Sequence, residues 1–281
     1  MPLGTSQQTI TTGSNFIPEL WGPNVIVATE NNLVVRPLFW DWTDPVKEKG
    51  DTIHVPAISN LTSTAKAANT QVTLNAPTEG VTDLVINDHE ECSFLIEDIL
   101  KVQSQFNLQK FYTDKAGYAV GQVMDVRVIN LFSGFSQIVG SSGIDLGDSQ
   151  IRDAKELLRV ANVPNDGDLN ICIHPTQENA LFAIEKYFRA DMRGGGESSV
   201  LVRGKLGTLY GINVYVTTNI GTSAGAYLNS MFHKQAIAIA NQVGPRTQGD
   251  YILEYLGHLV VTDAIFDQVE ARDAFGVWMQ S

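Results

Sequence analysis

The chain has 281 residues, 43% of them hydrophobic, with 19 Lys and Arg against 31 Asp and Glu and a formal net charge of −12. That length supports one large core or two modest ones, and the acidic balance argues against a reader of nucleic acid, which needs clustered bases. Uncharged apolar runs stop after a few residues, far short of the roughly 20 that a spanning helix needs. Met1 to Ile17 is rich in Thr, Ser and Gln without a basic or apolar leader pattern, so no secretory signal is expected. Cys92 and Cys172 are too few for a disulfide framework, and a reduced, cytoplasmic setting is the expectation.

Residues 1 to about 17 lack periodicity and read as an arm that is either mobile or ordered by a partner. From Pro18 to Trp42 the chain turns apolar, with two tryptophans in Phe39-Trp40-Asp41-Trp42. Such a stretch packs either on its own domain or on a neighbour. Gly50 to Pro56 opens a strand with Ile53 and Val55 on one face, and Val81 to Ile86 is a second strand leading to Phe94-Leu95-Ile96. The polar stretch from Asn60 to Pro77 between them makes an extended hairpin, costly in isolation unless a neighbour covers it.

Phe106 to Phe132 carries the clearest helical period, with Tyr112, Ala116, Ala119, Val120, Val123, Val126, Val128 and Ile129 at 3- and 4-residue spacing. At 1.5 Å per residue it would run about 40 Å, and Gly117 and Gly121 permit close backbone approach. Gly134 to Gly147 reads as a break. The remainder reads as α/β: a helix capped at Asp148-Ser149, a buried strand Leu169 to Ile173, and a helix from Pro175 to about Phe188. Strands follow at Val200–Val202, Ile212–Thr217, Ala236–Ala240, Tyr251–Leu256 and Leu259–Thr262.

Gly221-Thr222-Ser223-Ala224-Gly225 matches the nucleophile-elbow pattern, with Asp250 and His258 following in hydrolase order, yet the text after Gly225 is too short for the helix an elbow needs. Asp88-His89-Glu90-Glu91-Cys92 groups metal-ligand types, but neighbours on a strand face opposite ways. Gly204-Lys205 is no phosphate loop, since Ser199 stands in place of the leading glycine. The five histidines show no ligand spacing, and neither a cofactor nor a metal is expected. Between Ala67 and Leu100 lie seven acids, among them Glu79, Asp83, Glu90 and Glu91, and no Lys or Arg. That run is either a solvated face or the complement of bases on another subunit. Lys186, Arg189, Arg193, Arg203 and Lys205 form the comparable basic group.

The order of parts resembles the major capsid proteins of tailed bacteriophages, an α+β fold of the Hong Kong 97 type. Pro18-Glu19-Leu20-Trp21, Gly50-Asp51-Thr52-Ile53-His54-Val55-Pro56 and Leu206 to Val214 carry the likeness. The resemblance implies an N-terminal arm (1–47), an E-loop with its base (48–96) and a peripheral domain with a spine helix (97–140). It further implies an axial domain (141–240) and C-terminal strands returning to both domains (241–281). It implies no catalytic residues, self-association into hexamers and pentamers, portal and scaffolding proteins as partners, possible decoration, and enclosure of double-stranded DNA. The setting implied is a virion assembled in host cytoplasm, with no membrane. Subunit contacts are expected at Trp40, Trp42, Lys66, Glu79, Asp83, Glu90, Glu91, Arg189, Arg193, Arg203 and Lys205. Some relatives cross-link through an E-loop lysine; Lys66 is the lysine placed for it, and this chain is taken as uncross-linked. The alternatives are an encapsulin-like nanocompartment shell and a serine hydrolase using Ser223.

Overall fold

From Asn31 the chain runs as a strap: a 3-10 turn at Arg36–Leu38, a two-residue strand β1 (Trp40–Asp41) and a second turn at Asp44–Val46. Pro37 and Pro45 open those turns, where a missing N–H costs no bond. The structure, a computed structural model, describes residues 30–31, 33–47, 50–58, 60–77, 79–103, 108–184 and 207–281, without the side chains of 103 and 108. Residues 31–281 form one unit.

The expected hairpin forms as β2 (Thr52–Ile58) against β3 (Glu79–Val85), antiparallel, with Ile53 opposite Leu84. Next come β4 (Asp88–Glu97), a short helix α1 (Asp98–Gln103) and the spine helix α2 (Leu108–Asn130), closed by a 3-10 turn at Leu131–Gly134. Buried Ala116, Val120, Met124, Val128 and Ile129 mark the faces of α2 that pack inward. One of the two expected close approaches is real: a Cβ at Gly121 would lie 2.7 Å from the Leu33 side chain, whereas Gly117 meets nothing.

Within the expected glycine break, β5 (Ile138–Gly140) pairs in parallel with β14 (Gly276–Gln280). Helix α3 (Asp148–Val160) has its N-cap at Gly147, one residue before the expected cap, where the Gln150 side chain turns back to accept the Gly147 N–H at 3.0 Å. Asp148 instead accepts from Arg152 one turn on. Strand β6 (Leu169–Ile173) is wholly buried, and α4 (Pro175–Phe182) begins at Pro175 behind the N-cap His174. Then come β7 (Thr208–Leu209), β8 (Ile212–Val216), β9 (Thr222–Ser223), β10 (Ala226–Tyr227) and β11 (Asn229–His233). Helix α4 stops at Phe182, short of the expected end near Phe188, because the chain tightens there: the Ala183 N–H turns back to the Ala180 carbonyl and the Ile184 N–H to the Leu181 carbonyl. The strand expected at Val200–Val202 lies outside the described residues.

The C-terminal region departs from expectation. Rather than three short strands, β12 (Ile237–Ile252) and β13 (Gly257–Glu270) make one long hairpin, turning at 253–256. The sequence obscures this because β12 leaves strict alternation at register shifts between Asn241 and Arg246, around Gly244-Pro245.

Besides the two-stranded pairs β2-β3 and β9-β10, the described strands form two larger sheets, in the orders β1-β12-β13-β4 and β5-β14-β11-β6-β8-β7. The chain passes between them at 234–236 and again at 271–275. Their junction is filled by Val35, Phe39, Val128, Ile129, Phe132, Phe135, Ile220, Phe232, Ile237 and Trp278. Phe39 stacks on Phe232 with ring centroids 4.4 Å apart.

Candidate assembly surfaces

Pleating gives the β12–β13–β4 sheet two unlike faces. Cys92, Ala264 and Phe266 turn toward Val120, Val123 and Met124 of α2. On the same face Arg127 of α2 holds Glu90 at 2.6 Å and lies 3.9 Å from Asp88. The opposite face is covered at one end by the hairpin base, where Leu84 and Ile86 pack with Trp42, Val46, Ala238 and Ala240. Its other end is an open groove of about 590 Å³, lined by His89, Glu91, Arg246, Gln248, Asp250, Leu259, Val261 and Asp263.

In that groove Arg246 stands directly across the strand pair from Asp263 and grips its carboxylate with Nε at 3.0 Å and Nη2 at 2.9 Å. His89 Nε2 lies 3.2 Å from the same carboxylate. The hydrogen bond from Arg246 is the leading reason that the Asp263 carboxyl sits below its ordinary value. Glu91 and Asp250 remain exposed at the rim over an apolar floor of Leu259 and Val261.

Beyond its base the hairpin has no core. Residues Asn60 to Pro77 are exposed throughout, and the tip turns at Ala67–Thr70, where Asn69 has φ 58° and the Thr70 hydroxyl donates to Ala67 O at 2.7 Å. Large apolar side chains stand in water along it: Ile58 is 79% exposed and Leu74 86%, and Leu61, Val72 and Val81 are exposed as well.

The expected contact residues divide. Trp42 is 8% exposed and belongs to the chain's own core, and Trp40 packs beside it, centroids 5.2 Å apart. Lys66 and Glu79 are exposed on the hairpin, Asp83 lies 2.6 Å from His54 Nδ1, and Glu91 faces the groove. Glu90 is engaged by Arg127 of its own chain, so part of the acidic run already has its cations. Arg127 was missed as the cation of that run, and Arg246 as the partner of Asp263; reading 237–270 as one hairpin would have placed Arg246 opposite Asp263. Arg189, Arg193, Arg203 and Lys205 lie outside the described residues, as does Lys186.

The nucleophile-elbow reading fails on geometry. Ser223 sits in a two-residue hairpin, β9–β10, with Ala224 at φ 51° and Gly225 at φ 81°, rather than in a strand-to-helix turn. Asp250 and His258 belong to the other sheet. The ligand types at 88–92 alternate faces as expected. A group that spacing did not reveal is Asp166, Asp168 and His233, whose ligating atoms lie within 4.8 Å of one another. There His233 Nδ1 accepts the Gln235 N–H at 3.3 Å, which leaves Nε2 to carry the proton and donate to Asp166 at 3.2 Å. A nitrogen so protonated braces the loop and has no lone pair for a metal. No helix among the described residues is long and apolar enough to cross a membrane.

No protein-family model matches the chain, and no curated protein sequence matches it. Solved structures do. A chain from Mycobacterium phage Che8 superposes with a TM-score of 0.82 at 23% identity, covering 94% of this chain and 97% of that one. The capsid structure of cyanophage P-SCSP1u gives 0.80 at 15% identity over 99% and 96%. The mature capsid of bacteriophage PhiM1 gives 0.75 at 11% identity over 98% and 97%. The chain therefore has the α+β capsid fold of the Hong Kong 97 type that its sequence leads one to expect.

Proposed function

We propose that the chain is the structural subunit of a phage head, the major capsid protein, which self-associates into hexameric and pentameric capsomers of an icosahedral shell around double-stranded DNA. The observation that carries this reading is the extended hairpin on a capsid fold. Five large apolar side chains along it, Ile58, Leu61, Val72, Leu74 and Val81, are exposed in the single chain, and a neighbouring copy is what buries them. Each contact is modest, but a closed shell makes many at once, so avidity stands in for pairwise strength. The acidic balance keeps the shell from gripping the DNA it encloses.

The five regions, 1–47, 48–96, 97–140, 141–240 and 241–281, serve as arm, E-loop, peripheral domain, axial domain and returning strands. Portal and scaffolding proteins join the assembly, which forms in host cytoplasm before becoming the virion, and Lys66 forms no cross-link. Glu79, Asp83 and Glu91 meet the basic residues Arg189, Arg193, Arg203 and Lys205 of a neighbour. Negative-stain electron microscopy with sedimentation of the purified protein tests the reading. Shells, tubes or capsomer rings are expected, alone or with the scaffold co-expressed; a monomer under both conditions would overturn it.

A further inference from the structure

Asp125, in the last third of α2, is 1% exposed, and neutral N–H groups hold its carboxylate. Oδ1 accepts the backbone N–H of Val35 at 3.1 Å and of Arg36 at 2.7 Å, and Oδ2 accepts from Asn219 Nδ2 at 3.5 Å. The network runs on. Asn219 Oδ1 accepts from Gln122 Nε2 at 3.1 Å, and its own N–H donates to Thr217 Oγ1 at 3.2 Å. The same Thr217 oxygen accepts from Asn31 Nδ2 at 2.7 Å, and the Asn31 N–H donates to the Tyr118 hydroxyl at 3.0 Å.

The Arg36 side chain ties the other side. It donates to Asn241 Oδ1 at 2.7 Å, to Gln268 Oε1 at 3.2 Å and to the Ala240 carbonyl at 3.4 Å, with its guanidinium 4.9 Å above the Phe266 ring. Leu33 fits against Gly121, where no Cβ stands in the way. Val35 and Phe39 fill the junction between the two sheets. Asn31 and residues 33–39 thus touch the spine helix, both long strands, and the loop that follows β8.

We propose that Asn31 and residues 33–39 form a coupling strap: seated on the spine helix through Asp125, they tie opening of the 217–220 loop on the six-stranded sheet to opening of β12 on the four-stranded one. A buried carboxylate whose direct donors are all neutral N–H groups, with the Arg36 guanidinium near enough to attract it but not bonded to it, is a costly way to fill space, and apolar side chains of similar volume would serve stability as well. What the polar hub adds is a defined seated state, because its bonds are made together or lost together. Asn219 Nδ2 and the two strap amides share one carboxylate, so lifting the strap leaves the loop's partner in a buried site without its donors. The inference does not depend on shell formation and is read on the unassembled chain.

Native-state hydrogen exchange resolved by residue tests it. Three amides report: Arg36, Asn219, and Asn241, whose N–H donates to Thr43 Oγ1 at 3.2 Å beside the strap. In Asp125→Ala all three should exchange at least tenfold faster, in step, while Ile171 in the buried β6 keeps its protection. Asp125→Asn retains an oxygen for the two strap amides but sets its Nδ2 donors against Asn219 Nδ2, so Arg36 should stay within threefold of the parent while Asn219 exchanges faster; an Asn219 as protected as in the parent would show that it does not depend on the shared carboxylate and overturn the coupling. Faster exchange at Arg36 alone would reduce the strap to a local staple and overturn the coupling. If Asp125→Ala does not fold, Asn31→Ala carries the test at the strap's half-buried entry. It should speed Arg36 and Asn219 together, and an unchanged Asn219 would overturn the proposal.

Discussion

At Gly276 one added carbon has nowhere to go, because a Cβ there would lie only 2.3–2.5 Å from three carbons of the Phe135 ring. The backbone is extended at φ −126°, so the demand is for space rather than for glycine's conformational freedom. Gly276→Ala should lower stability by about 1–3 kcal/mol through overpacking, read as a lower urea midpoint. Adding Phe135→Leu should recover part of the loss, whereas strict additivity of the two substitutions would refute the clash. Asp125 makes a pH prediction. Burial raises its carboxyl above the ordinary 3.8, so the native state holds that proton more tightly than the unfolded chain does. The sign follows: stability drains away as pH rises from near 4 through the raised value, and is unaffected beyond it. Asp125→Asn lacks this loss, so its stability relative to the parent should be more favourable at pH 7 than at pH 4. Equal differences in urea titrations at the two pH values would refute it. Neither Gly276 nor Asp125 was legible beforehand, because each acquires its role from residues more than 80 positions away.

Among the elements, the hairpin strands were readable from their alternation, buried β6 from its short apolar run between breaks, and the spine helix from its long stretch without Pro, although its apolar and polar sides are barely segregated. The β12–β13 hairpin was not. Its bulges break the alternation, and its groove residues Arg246 and Asp263 are polar where a buried strand would be apolar. The two faces of β4 separate two adjacent acids. Glu90→Lys sets a cation against Arg127 within the chain and should lower the urea midpoint. Glu91→Lys, on the exposed groove, should leave the midpoint unchanged and impair assembly as followed by sedimentation. Equal effects of both on the midpoint would contradict the face assignment. For the hairpin, Ile58→Ser with Leu74→Ser should leave the thermal transition of the unassembled chain unmoved, since neither side chain packs on it, and abolish shells in electron micrographs. Shells at wild-type yield would show that those side chains are not what a neighbour buries.

The whole molecule is held by pairings between distant segments. β1 lies in parallel beside β12, with Trp40 opposite Ala238; β4 waits for β13, and β5 for β14. A fragment ending before Ile237 would lack the two central strands of the four-stranded sheet. It should show neither the near-ultraviolet signal of packed aromatics nor resistance to trypsin, and a protease-resistant fragment would argue for an independently folding first half. The order of parts was legible in the sequence, but which strand meets which was not, because register is decided across these gaps.

The pairing of Trp40 with Ala238 also sets a clock for the ribosome. About 200 residues must be made between the two, which at 5–20 residues per second takes roughly 10–40 seconds. Through that interval Trp40, Trp42 and the apolar hairpin emerge with no sheet to join, on every ribosome of a polysome at once. Premature contact between nascent hairpins is then the hazard that competes with productive folding, and slower translation of the last third of the message would lengthen it.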